Sequence, residues 1–64
     1  MSTLEINKRY SFAGSHANLI MQEDGNLVIY DRIGRPVWET GTGGNHGATA
    51  IFQTDGNLVI YHHG

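Results

Sequence analysis

The 64-residue chain contains no cysteine, so neither a disulfide nor a cysteine-held metal cluster can staple it. It has a single proline and no apolar run near the roughly 20 residues that a membrane-spanning helix needs. Positive charge is also scarce: four Lys and Arg stand against six Asp and Glu, a formal net charge of -2. A nucleic-acid module would show a basic face instead. The N-terminus, Met1-Ser2-Thr3-Leu4-Glu5, lacks the basic and apolar regions of a signal peptide. Localisation is thereby left open between the cytoplasm and secretion after removal of a leader. A chain this short, without staples, builds only a small core and gains from a partner. What is plentiful is glycine, nine residues, which suits an all-β chain with tight turns.

The dominant feature is an internal repeat. Residues 22–30 read QEDGNLVIY and residues 53–61 read QTDGNLVIY, differing only at Glu23 against Thr54 across an offset of 31. Each copy is one supersecondary unit, stacked on the other because neither buries its apolar side alone. The repeats run over about 4–33 and 34–64 of a single domain covering 1–64.

Each unit reads as a β-hairpin. Leu-Val-Ile-Tyr is a run of strand formers, and Asp-Gly is a turn signal. A two-residue loop at Asp24-Gly25 would pair Gln22 with Leu27. A three-residue loop, Glu23-Asp24-Gly25, pairs Gln22 with Asn26 and puts Gly25 in the left-handed position of a G1 bulge. Only the second register sorts the faces cleanly. Gln22, Asn26, Val28 and Tyr30 share one side, and Leu19, Met21, Leu27 and Ile29 share the other. The second unit sets Gln53, Asn57, Val59 and Tyr61 against Ala50, Phe52, Leu58 and Ile60. Further strands are expected at about Leu4 to Phe12 and Arg35 to Thr40, some six in all. The segment 40–47, TGTGGNHG, reads as a mobile connection. It is no phosphate cradle, since a P-loop needs a lysine and a following helix.

The polar face carries the chemistry. Folded at its turn, one hairpin brings together a carboxylate (Asp24), two amides (Gln22, Asn26), a phenol (Tyr30) and an aliphatic patch (Val28). This set suits a ligand with vicinal hydroxyls and a few C–H groups, which is a sugar. So shallow a surface binds at around millimolar per copy, and repetition raises the apparent affinity for clustered ligands.

The pattern Q-x-D-x-N-x-V-x-Y, present as Gln22-Asp24-Asn26-Val28-Tyr30 and Gln53-Asp55-Asn57-Val59-Tyr61, resembles the bulb-type (monocot) mannose-binding lectins. The resemblance runs from about Leu4 to Tyr61 and includes Ile6 to Phe12 and Val37-Trp38. It implies a β-prism II, three small antiparallel sheets about a pseudo-threefold axis, with Trp38 in the core. It further implies that Asp24 and Asn26 bond the 2-hydroxyl of mannose, Gln22 the 3-hydroxyl and Tyr30 the 4-hydroxyl, with Val28 against sugar carbons. Asp55, Asn57, Gln53, Tyr61 and Val59 take the same roles in the second site. Two departures matter. The family has about three motifs where this chain has two, and Gly25 stands where the first motif often holds cysteine. A two-motif prism leaves strand edges and the Trp38 region open, which implies a homo-oligomer, most simply a dimer.

Other chemistries fit poorly. His62 and His63 are adjacent and fall on opposite faces of a strand, and neither they, His16 nor His46 has ligand spacing. His62-His63-Gly64 reads as a solvated tail, and no metal or cofactor is implied. Catalysis would need paired carboxylates or an activated nucleophile, whereas Asp24 and Asp55 sit on separate repeats and Glu23 becomes Thr54. The expectation is a non-enzymatic binder of mannose-containing glycans. The alternative is a sugar-blind prism serving as a structural or protein-interaction module.

Overall fold

The computed structural model describes residues 2–62, so the expected tail at His63-Gly64 lies outside them. Seven strands are present: β1 (Ser2–Thr3), β2 (Arg9–Ser11), β3 (Asn18–Met21), β4 (Leu27–Tyr30), β5 (Pro36–Glu39), β6 (Thr49–Phe52) and β7 (Leu58–Tyr61). They form two antiparallel sheets, ordered β2-β3-β4-β5 and β1-β6-β7. The described residues contain no helix, and hence none long and apolar enough to cross a membrane.

The hairpin register is the three-residue-loop one. Met21 pairs with Leu27 and Phe52 with Leu58. The Gln22 amide donates to the Asn26 carbonyl at 2.8 Å, and Gln53 repeats this with Asn57 at 2.8 Å. Gly25 and Gly56 adopt φ of +95° and +90°, the left-handed region that a side chain strains to enter.

One expectation is corrected in the lead-in. Instead of a single strand from Leu4 to Phe12, the chain breaks at Asn7, whose φ is +64°. Asparagine tolerates that region better than other non-glycine residues. The break sends Ser2–Thr3 to the second sheet, paired with β6, and Arg9–Ser11 to the first, paired with β3. The lead-in thus stitches the repeats together and raises the strand count from six to seven.

The core lies between the sheets and is small: Leu4, Leu19, Met21, Leu27, Ala48 and Ala50, with Tyr10, Ile29 and Ile60 packed against it. Equivalent residues of the repeats are unequally covered. Leu27 and Met21 are fully buried, whereas Leu58 and Phe52 are 36% and 42% exposed. The first sheet continues past β4 into β5, whereas β7 has no such neighbouring strand among the described residues.

Trp38 also departs from expectation. It ends a cross-strand row of Tyr10, Leu19, Ile29 and Trp38 on the inward face, yet it is 50% exposed. It borders an apolar groove of about 330 Å³ with Phe12, Leu19, Ile29, Phe52 and Leu58. Trp38 is therefore not a buried core residue of the single chain, because two sheets wall the groove and the described residues supply no third.

Candidate functional site

The outward faces of the two hairpins carry the repeated polar residues. In each copy the aspartate caps its own turn: Asp24 Oδ1 accepts the Asn26 amide at 2.9 Å, and Asp55 Oδ1 accepts the Asn57 amide at 3.0 Å. This is an Asx turn. It orders the carboxylate and leaves Oδ2 as the remaining acceptor edge in the first copy.

Across each hairpin, glutamine meets tyrosine. Gln22 Nε2 donates to the Tyr30 hydroxyl, and Gln53 Nε2 donates to the Tyr61 hydroxyl at 2.7 Å. The phenol oxygen is thereby held in place while its own O–H stays available to donate. The glutamine Oε1 is a further acceptor. Each site thus presents ordered donors and acceptors of both kinds, as recognition of adjacent hydroxyls requires.

The structure brings Gln22, Asp24, Asn26 and Tyr30 onto one hairpin face, and likewise Gln53, Asp55, Asn57 and Tyr61. The valines differ. Val28 is only 3% exposed, because it lies inside a row of Arg9, Ile20, Val28 and Glu39, whereas Val59 is half-buried. Little of Val28 can touch a ligand, and Ile20 beside it supplies apolar surface instead.

The first copy is more heavily built than the second. Asn26 Nδ2 donates to Glu39 Oε1 at 3.2 Å, and its Oδ1 accepts from the Thr40 hydroxyl at 3.0 Å and the Thr42 amide at 3.2 Å. The Thr42 hydroxyl donates to the Gly25 carbonyl at 2.6 Å, and the Asn45 amide to the Asp24 carbonyl at 3.0 Å. The glycine-rich segment expected to be mobile is therefore a clamp on the first turn. In the second copy Asn57 Nδ2 turns to its neighbour Asp55 Oδ2 at 3.1 Å, and Asp55 and Asn57 are exposed.

A cleft of about 340 Å³ adjoins the first site, lined by Asn7, Arg9, Ile20, Gln22, Tyr30 and Gly34. Sequence reasoning missed Asn7, Arg9, Ile20 and Gly34, and it missed the clamp residues Thr40, Thr42 and Asn45. They come from turns and strands outside the nine-residue motif at 22–30, so only the tertiary fold brings them there. Among the described residues no group of three or more His, Cys, Asp or Glu is placed to hold a metal ion.

This architecture is all-β, and its structural relatives are the β-prism II bulb lectins. The chain is homologous in sequence and structure to the bulb-type mannose-specific lectins. A mannose-specific lectin of Narcissus pseudonarcissus is 53% identical over 38 residues, which are 59% of this chain and 28% of that protein. The mannose-specific agglutinin of snowdrop (Galanthus nivalis) bulbs, solved with methyl-α-D-mannoside, superposes with a TM-score of 0.65 at 45% identity, over 75% of this chain and 45% of that one. A lectin of garlic (Allium sativum) gives 0.73 at 35% identity, over 95% of this chain and 57% of that one. This chain therefore spans less than two thirds of each of these relatives. No family model matches it. These homologues are lectins rather than enzymes, in line with the absence of catalytic machinery from the sequence reading.

Proposed function

We propose that the chain is a carbohydrate-binding lectin that recognises mannose and mannosides non-covalently through its two Q-x-D-x-N-x-V-x-Y sites. The observation that carries this reading is the glutamine-to-tyrosine hydrogen bond made in both repeats beside an aspartate-capped turn. The snowdrop agglutinin, solved with a mannoside bound, supports the choice of sugar. Asp24 and Asn26 take the 2-hydroxyl, Gln22 the 3-hydroxyl and Tyr30 the 4-hydroxyl. Asp55, Asn57, Gln53 and Tyr61 do so in the second site. Val59, and to a smaller extent Val28, covers sugar carbons.

The single domain assembles as a homo-oligomer, a dimer in its simplest form. The groove of Phe12, Trp38, Phe52 and Leu58 is an exposed apolar surface of the kind that marks an interaction site, and a second copy is the occupant that closes it. A standard interface takes about 800 Å² from each partner, a little under a fifth of this chain's 4352 Å². Assembly multiplies sites for clustered glycans.

Isothermal titration with mannose beside galactose tests the reading, with solution mass recorded on the same sample. Heat with mannose from a species heavier than 7.0 kDa is expected. Asp24→Asn with Asp55→Asn removes both carboxylate charges while keeping a turn-capping oxygen. That double variant should stay folded and lose most mannose binding. A folded oligomer giving no heat would contradict the lectin reading.

A further inference from the structure

We infer that the first site prefers mannosides bearing an acidic substituent, a phosphate ester or a carboxylate, and that Arg9 is the residue that selects it. The inference rests on the mannose-binding reading and deepens it. Arg9 stands on β2 opposite Ile20 and is exposed. It shares the 340 Å³ cleft with Gln22 and Tyr30, and no carboxylate lines that cleft. A sugar held by Gln22 and Tyr30 therefore sits in a cleft that Arg9 also lines.

Charge is distributed along this face in a way that leaves Arg9 available. The row across the sheet runs Arg9, Ile20, Val28, Glu39, with opposite charges at its two ends and an apolar pair between them. Glu39 is engaged by Asn26 Nδ2 at 3.2 Å. Of the neighbouring cations, Lys8 is paired with Glu5 at 3.0 Å and Arg35 with Asp31 at 3.0 Å. Among the described residues, Arg9 has no such partner. A guanidinium presents a planar fork of donors that matches phosphate or carboxylate oxygens two at a time. A ligand carrying such a group supplies the acceptor that the chain does not.

The second repeat provides an internal comparison. Thr3 stands opposite Ile51 as Arg9 stands opposite Ile20, so the equivalent position carries no charge. The inference therefore places acid selectivity at the first site and gives the second no arginine at the corresponding position.

The test is titration of the full chain with mannose, mannose 6-phosphate and mannuronic acid, at low salt and at high salt. Each acidic ligand is read as the ratio of its affinity to that for mannose. At low salt the ratio should be about one and a half to five, the range of an exposed charge pair, and salt screening should bring it towards one. In Arg9→Gln it should also fall to about one, whereas Thr3→Arg should raise the number of acid-preferring sites per chain from one to two. A preference for either acid supports the inference and identifies the group. Mannose binding with a ratio of one or below overturns the inference alone. An acid preference that persists in Arg9→Gln overturns the assignment to Arg9. No binding of mannose or either acid overturns the lectin reading together with the inference.

Discussion

The backbone carbonyl of Asn45 occupies the space that a side chain on Gly25 would need, while at the equivalent Gly56 there is nothing within 4 Å. The contact belongs to the clamp that ties the segment after β5 to the first turn, through the Asn45 amide on the Asp24 carbonyl at 3.0 Å. Where the bulb-type family often carries cysteine, this chain is held by hydrogen bonds and needs glycine. Gly25→Ala and Gly56→Ala share the strain of a positive φ, about 1 kcal/mol each. Only Gly25→Ala adds a backbone collision, a further cost of about 1–3 kcal/mol. Urea unfolding of the two variants should show Gly25→Ala as the more destabilised, and equal losses would contradict the clamp.

Tyr30 and Tyr61 make the same contact with glutamine but sit in differently built sites. Tyr30→Phe keeps the ring and removes the hydroxyl that bonds Gln22 and that is proposed to bond the ligand. Mannose affinity at that site should fall by roughly two- to twelvefold, the worth of one net hydrogen bond. Tyr61→Phe should reduce binding at the other site by a similar factor. Titration of each single variant in the background of the other site's aspartate variant separates the two. Unchanged affinity in both would remove the tyrosines from the site.

Trp38 is the sole tryptophan and half exposed at the mouth of the apolar groove, so its emission tests the proposed self-association directly. Dilution should shift the fluorescence to the red as chains separate and water reaches the indole. Trp38→Ala should weaken assembly more than it weakens the fold of each chain, because the truncation falls mostly on exposed surface that the proposed dimer would cover. Emission independent of concentration across the range in which mass changes would place Trp38 outside the interface.

Asp31 anchors the turn between β4 and β5. Its carboxylate accepts the Arg35 amide at 2.9 Å, the Ile33 amide at 3.1 Å and Arg35 Nε at 3.0 Å. The backbone hydrogen bond from Arg35, with help from its guanidinium and the Ile33 amide, holds the carboxyl below its ordinary value. A carboxylate depressed in the folded state contributes stability that is present above its unfolded pKa and lost as pH falls through the folded one. Acid should therefore loosen this turn, and Asp31→Asn should flatten that part of the pH dependence. NMR titration of the Asp31 carboxyl checks the direction, and a midpoint above that of an unstructured peptide would contradict it.

The parts of the fold that depend on short-range signals are legible in the sequence itself. Asp-Gly turns flanked by Leu-Val-Ile-Tyr determine the hairpin register, and the face-sorting argument selects the pairing of Gln22 with Asn26 that the structure adopts. The break at Asn7 was not legible, because one left-handed asparagine leaves no periodic trace in a polar lead-in. Exposure of Trp38 was half legible: the open prism was expected, but an aromatic strand residue reads as core when its cover is not counted. The cleft wall of Asn7, Arg9 and Gly34 and the clamp of Thr42 and Asn45 were invisible, since no local pattern links them to residues 22–30. Val28 looked like ligand surface because alternation gives a face without saying how far neighbours close over it.

Mannose recognition by the repeated hairpin faces is tested most directly by an amide NMR titration of the intact chain with methyl α-mannoside, beside the galactoside. Backbone and side-chain amide shifts should concentrate at residues 22–30 and 53–61, with Gln22, Asn26, Gln53 and Asn57 among the most affected and galactoside inert. Shifts confined to the apolar groove around Trp38, or none at saturating mannoside, would contradict it.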